Sequence, residues 1–193
     1  MRSEREIHLF PLHGILVPEG RLTLRIFEPR YLDLVSDCMK REQPFGVALI
    51  SEGEETGRAA QCHDLGTLAH ISDWDQQADG LLEISCVGGR RFRILSQEVA
   101  ANQLVRARVR VLSACPRVEP GRSHQPLVTL LRQLMERAGR PPGTDARFDD
   151  AGWVGCRLLE LLPLGLVQKQ RLLQLDDPRQ RLDQLLGALN LVQ

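Results

Sequence analysis

The side chains able to make or break bonds are few in this 193-residue chain, and none is set at a catalytic spacing. A phosphate-cradling loop needs glycine backbone followed by a lysine that reaches the outer oxygens. Only Lys40 and Lys169 exist, behind Met39 and Gln168, and Gly88-Gly89-Arg90-Arg91 follows its glycines with arginine. Nucleotide hydrolysis is not expected. Five histidines (His8, His13, His63, His70, His124) and five cysteines (Cys38, Cys62, Cys86, Cys115, Cys156) contain one close pair, Cys62-His63, so neither a metal site nor a cofactor is expected. No serine lies in a G-x-S-x-G elbow, and a hydrolase would need a serine to meet Lys169 in space. The odd cysteine count, without C-x-x-C, fits reduced thiols packed as small core residues.

Recognition by surface shape leaves other candidates. Arg91, Arg93, Arg106, Arg108 and Arg110 lie on alternating segments and would form one positive surface if their strands pair, a surface able to hold RNA phosphates. Glu83 and Glu98 lie nearby, and the region has no outward aromatic on which a base could stack, so a solvated face is the favoured reading. Trp74, between Asp73 and Asp75, is the expected exposed aromatic and partner anchor; Trp153 is expected in a core. The 25 basic and 25 acidic residues cancel, which removes the bulk field that draws a protein to nucleic acid or anionic lipid. No apolar run approaches the roughly 20 residues of a spanning helix, and the opening Met-Arg-Ser-Glu-Arg-Glu carries no signal-peptide pattern, so the cytoplasm is the expected location.

Hydrophobic patterning supplies the scaffold. Leu9 to Leu12 and Arg21 to Phe27 read as strands around a Pro18-Glu19-Gly20 turn, and Phe45 to Ser51 as a short apolar strand after Pro44. Thr67 to Asp75 and Leu81 to Val87 alternate on either side of Asp79-Gly80, a tight-hairpin signal. Gly88-Gly89 reads as a second turn before Phe92 and Ile94, with Arg91 and Arg93 on the wet face. Val105, Ala107, Val109 and Val111 alternate with arginines. One helix interrupts the strands: Tyr31, Leu34, Val35 and Cys38 recur at helical spacing from Pro29 to Arg41, with Pro29 at the first helical position. Beyond the polar stretch from Pro116 to Pro126 the period becomes helical, with stripes at Leu127, Leu130, Leu131 and Leu134 and at Leu182, Leu185, Leu186 and Leu189. Between them a breaker spans Gly139 to Gly143, a helix runs from about Asp150 to Leu162, and another covers Val167 to Leu175. Asp177 and Pro178 cap and open the last helix. The pattern predicts an α+β chain: a β unit over 1–115, a linker over 116–126 and helices over 127–193.

Particular segments carry a family likeness: Leu9-Phe10-Pro11-Leu12, Leu24-Arg25-Ile26-Phe27-Glu28-Pro29-Arg30-Tyr31, Phe45-Gly46-Val47, Leu65-Gly66-Thr67, and Gly80 with Gly89-Arg90-Arg91-Phe92-Arg93-Ile94. Glu160-Leu161-Leu162-Pro163, Lys169-Gln170 and Leu172-Leu173 continue it. The chain resembles the N-terminal, substrate-binding domain of Lon protease. The resemblance implies a PUA-like β pseudo-barrel with one inserted helix, followed by a helical bundle. It also implies a non-catalytic module for polypeptide segments, unfolded or adaptor-delivered, in a stand-alone bacterial version without the ATPase and peptidase domains. A groove between the two parts, or an open sheet edge, is the expected place of capture. Trp74, Arg91, Arg93, Arg106 and Arg108 are the candidate partner contacts. Phe27, Glu28, Pro29, Arg30 and Tyr31 are expected to be structural, with Phe27 and Tyr31 sealing the helix against the sheet and Glu28 paired with Arg25 or Arg30. An RNA-binding PUA-like module and a hydrolase with an unrecognised site are the alternatives.

Overall fold

The structure, a computed structural model, describes residues 4–139, 143 and 145–190. The chain divides into two units, Met1–Ala114 and Cys115–Gln193. Among the described residues the first holds six strands and one helix: β1 (Glu4–Leu12), β2 (Arg21–Ile26), α1 (Pro29–Arg41), β3 (Phe45–Glu52), β4 (Gln61–Gln76), β5 (Leu82–Val99) and β6 (Val105–Val111). The second holds α2 (Gln125–Arg137), α3 (Ala151–Leu161), α4 (Leu166–Gln174) and α5 (Pro178–Asn190). This is a mixed α+β fold. No helix among the described residues is long and apolar enough to cross a membrane.

In the first unit β1 pairs in parallel with β3 and antiparallel with β6, and the antiparallel pairs β3–β4, β4–β5 and β5–β6 complete a ring of five strands. Ile7, Leu9, Leu68, Phe92, Val105, Ala107, Val109 and Val111 form one apolar cluster of this unit. Phe92 fits because Gly46 and Gly66 face its ring: a Cβ on either would come within 2.7 Å and 2.5 Å of Phe92 Cζ. β2 lies outside the ring, paired with β5 from Arg21↔Val87 to Ile26↔Leu82.

The Gly88-Gly89 pair reads in the sequence as a turn, but β5 continues through both residues, with an irregular register against β4 between Gly88 and Arg91. The glycines instead permit close approach. Gly88 N–H bonds to Gly20 O at 2.8 Å, a Cβ on Gly88 would collide with the Val17 carbonyl oxygen, and a Cβ on Gly89 would lie 2.8 Å from His70 Nε2. Arg91 is a second correction: it is 3% exposed. It stands opposite Thr67, which stands opposite Val47, and all three are buried. With Phe92 buried as well, β5 is covered on both faces here, so two-residue alternation carries no inside-out information. β1 also begins earlier than its apolar core suggests, because Glu4 and Glu6 stand opposite Arg110 and Arg108 of β6.

Helix α1 has the predicted bounds. Tyr31, Leu34, Val35 and Cys38 join Leu24, Ile26, Phe45, Val47, Ala69, Ile84 and Cys86 in the unit's second apolar cluster. Pro29 occupies its first turn, and Lys40 and Arg41 sit in the last turn, where cations meet the carbonyl end of the helix dipole. Arg30, 5% exposed, fixes its start. The guanidinium bonds to Gln103 O at 3.1 Å, Glu55 O at 3.2 Å and Glu28 Oε1 at 3.2 Å, and lies 4.6 Å from the Tyr31 ring centroid. One cation thus ties the helix to two loops. Of the two partners open to Glu28, the carboxylate takes Arg30, while Arg25 pairs with Asp79 at 2.5 Å. Tyr31 is buried and stacks on Phe10 with centroids 4.2 Å apart. Phe27 does not seal the helix: it is 59% exposed, because β2 ends at Ile26 and the chain turns before Pro29.

In the second unit α3 packs against α2, α4 and α5. Asp150 caps α3 by accepting Gly152 N–H at 2.9 Å, and Asp177 accepts Arg179 N–H at 2.9 Å at the start of α5. The most buried cation is Arg181, 1% exposed, which donates to Leu172 O at 3.0 Å and Leu175 O at 2.6 Å at the end of α4. Gly155 leaves the room, since a Cβ there would lie 3.0 Å from Arg181 Cδ. His124, also buried, accepts Gly121 N–H on Nδ1 at 3.0 Å, so its proton is on Nε2, 2.7 Å from Asp183. Most of the Gly139–Gly143 breaker lies outside the described residues.

Two predictions follow from this packing. Gly88→Ala should destabilise the protein by about 1–3 kcal/mol through overpacking, whereas Gly187→Ala, in open space within α5, should stabilise it by about 0.5–1 kcal/mol; urea titration of both variants measures the contrast. Burial pushes Cys38 and Cys62 up to about 11, and Cys86 and Tyr31 up to about 12, from ordinary values of 9.0 and 10.0. Above pH 9 the unfolded chain sheds these protons before the folded one does, so stability should hold below pH 9 and fall as pH rises toward 12. Urea midpoints across that window read the loss.

Candidate functional site

A cleft of the first unit arises where two neighbouring strands stop pairing at different points. β3 begins at Phe45, opposite Ala69 of β4. It cannot extend backward along β4, because Pro44 has no N–H and the Gln43 N–H is bonded to Cys38 O at 3.0 Å in closing α1. β4 nevertheless continues to Gln76 with β5 on its other side. From His70 to Gln76 it therefore has one paired edge and, among the described residues, one edge without a strand partner.

Between that edge and the end of α1 lies a cleft of about 430 Å³, lined by Cys38, Met39, Glu42 and Gln43 on one side and by His70 to Trp74 on the other. Trp74 is 55% exposed and Met39 42%. Both keep large apolar surface in water, which a folded chain ordinarily buries where it can. A register shift lies between Ile71 and Asp73, so Ile71 stands opposite Cys86 and Trp74 opposite Ile84. Cys86 and Ile84 share a face of β5, and the irregularity turns Ile71 and Trp74, three residues apart, to that same face. Glu42 holds a left-handed conformation (φ 51°) at the helix end, where glycine is the usual residue. Asp73 accepts the Trp74 N–H at 2.9 Å. The cleft thus combines an open backbone edge, two exposed apolar side chains and two carboxylates.

The arginines do not form a uniform positive surface. Arg93, Arg106 and Arg108 are exposed, Arg91 is not. Arg93 pairs with Asp64 at 2.6 Å and Arg110 with Glu4 at 3.0 Å, while Arg106 stands opposite Glu98 and Arg108 opposite Glu6. Carboxylates interleave with these arginines, although Arg93 and Arg110 stand directly opposite each other, and the RNA reading is not favoured.

Bond-making chemistry finds little support. A small pocket of about 130 Å³ holds His8 3.3 Å from Asp37, with Cys38, Arg41 and Arg106 also in its lining. That histidine-carboxylate pair lacks an activated nucleophile, because burial raises the Cys38 thiol to about 11 and leaves it protonated at neutral pH. Lys169, whose pKa is lowered by burial, lies in the other unit. Among the described residues no group of three or more His, Cys, Asp or Glu side chains is disposed to hold a metal ion.

Of the residues flagged in the sequence, the structure brings Trp74 to the cleft, puts Arg93, Arg106 and Arg108 on the mixed-charge face, and leaves Phe27 to Tyr31 at the start of α1. Sequence reasoning missed Met39 and Glu42. Their one local signal is that Met39 falls off the apolar stripe of α1 yet is a large hydrophobic residue.

Comparison with known proteins agrees with this architecture. Residues 6–190 match the family described as the ATP-dependent protease La (LON) substrate-binding domain. A Lon N-terminal domain protein from Xanthomonas campestris, solved by crystallography, is 39% identical with a TM-score of 0.82, over 95% of this chain and 98% of that one. The N-terminal domain of the Mycobacterium avium complex Lon protease, 17% identical, shares the fold with a TM-score of 0.66 over 95% and 97% of the two chains. No curated protein matches the sequence. The chain belongs to the Lon substrate-binding domain family.

Proposed function

We propose that this protein is a non-catalytic polypeptide-recognition module of the cytoplasm, built as a PUA-like pseudo-barrel and a helical bundle, that holds unfolded or adaptor-delivered segments. The observation that carries the reading is the seven-residue edge from His70 to Gln76, unpaired by strand and lined by exposed Trp74 and Met39. An extended segment laid along such an edge gains main-chain hydrogen bonds whatever its sequence, and the two apolar side chains supply contact area. Broad recognition of unfolded chains needs that combination. The family match supports it, since the family is named for substrate binding. Arg93, Arg106 and Arg108 stay as secondary contacts in this proposal, available to carboxylates of a bound chain.

Reduced, carboxymethylated α-lactalbumin should bind in titration calorimetry, while its native form should not. Trp74→Ala should weaken binding about tenfold, the size expected of an aromatic anchor, and should leave the urea midpoint unchanged because Trp74 is exposed. Casein incubated with the protein should remain intact by mass spectrometry. Equal binding of native and unfolded chains, or full affinity in Trp74→Ala, would refute the assignment.

A further inference from the structure

The charge of the cleft selects among unfolded segments, an inference that rests on the polypeptide-recognition reading above. We infer that the edge of β4 takes extended segments carrying lysine or arginine among apolar residues, and discriminates against acidic ones. Nine residues line the cleft; two of them, Glu42 and Asp73, are carboxylates, and none is lysine or arginine. Lys40 and Arg41, the nearest cations in sequence, are not in the lining, and Arg41 contributes instead to the pocket beside Asp37.

The carboxylates are also poorly neutralised. Among the described residues Glu42 makes no ion pair, and the Asp73 carboxylate holds only the Trp74 backbone N–H. Next along β4, Asp75 stands directly opposite Glu83 of β5, a like-charge pair that deepens the negative potential at this end of the sheet. Arg25 stands opposite Glu83 from the far side, but its guanidinium is engaged by Asp79. A bound chain with a basic side chain would supply the missing countercharge, while one with a glutamate would add repulsion.

Geometry fixes the form of the ligand. Seven residues of open strand span about 20 Å, enough for five to seven residues of an added strand. Side chains of that strand alternate, so one set would meet Trp74 and Met39 and long basic side chains would reach the rim at Glu42 and Asp73. Trp74 and a bound cation can further interact through the indole face.

The test uses a blocked ten-residue peptide of alternating valine and lysine with a central phenylalanine, a second peptide with glutamate in place of lysine, a third with serine there, and a copy of the first with alternate backbone nitrogens methylated. Titration is followed by the change in intrinsic fluorescence of the two tryptophans, Trp74 and Trp153, and by calorimetry on the full chain. The lysine peptide should bind at least tenfold more tightly than the glutamate peptide, with the serine peptide between them. The methylated copy should lose at least tenfold. In the double variant Glu42→Gly, Asp73→Asn, the preference for lysine over glutamate should fall below twofold. Glycine suits the left-handed position and asparagine can still accept the Trp74 N–H, so this variant should keep its urea midpoint. Equal affinity for the three charge forms, or a preference that survives in the double variant, overturns the inference while leaving polypeptide recognition intact. Absence of binding by every peptide together with unfolded α-lactalbumin removes the underlying reading as well.

Discussion

Strand β5 must serve two partners on one edge, and the first unit is organised around that handover. Its first six residues face β2 and its last eight face β6, while β4 follows the opposite edge along most of its length. The change of partner occurs at Gly88 to Arg91, where the strand is crowded by the Val17 carbonyl on one side and His70 on the other. At Gly88 only a residue without a Cβ lets the two backbones come that close, and at Gly89 the room is taken by the His70 ring. One extra residue of β5 stands between the pairs Gly88↔Ala69 and Arg91↔Thr67, an irregularity at the point where the edge passes from β2 to β6.

This handover explains why the sheet has open edges at all. A ring of strands has none, which is how closed β structures avoid unwanted pairing. The extension of β4 and β5 beyond the ring, with β2 alongside, leaves a three-stranded flap whose outer edges have no further strand among the described residues. Helix α1 covers one face of the flap through Tyr31, Leu34, Val35 and Cys38, and Arg30 anchors that helix to the loops containing Glu55 and Gln103. The end of α1 and the unpaired edge of β4 form the two walls of the cleft.

Some of this was readable in advance. The bounds of α1 follow from Pro29 and a four-residue apolar stripe, because an amphipathic helix packed on a sheet announces itself by period alone. Asp79-Gly80 likewise marks its turn, and Gly80 takes a φ of 81°. Gly88-Gly89 misleads because glycine answers two different demands, positive φ and close approach, that leave the same letter in the sequence. Arg91 misleads because alternation presumes one wet face, whereas both faces of β5 are covered there. The cleft was half legible: Trp74 between two aspartates reads as exposed, but Met39 and Glu42 lie more than thirty residues upstream and reach it only through the packing of α1. Nothing local in their own segment records that meeting.

The ring also sets the order in which the chain can acquire structure during synthesis. β1 is made first, yet its antiparallel partner β6 ends at Val111, and the ion pair from Glu4 to Arg110 spans 106 residues of chain. Closing so distant a contact carries a large entropic cost before any pairing rewards it. Until β6 has left the ribosome, Ile7 and Leu9 lack their antiparallel partners Ala107 and Val105, and only the stretch from Leu9 to Leu12 can pair, in parallel with β3, so the apolar residues at the start of β1 stay uncovered.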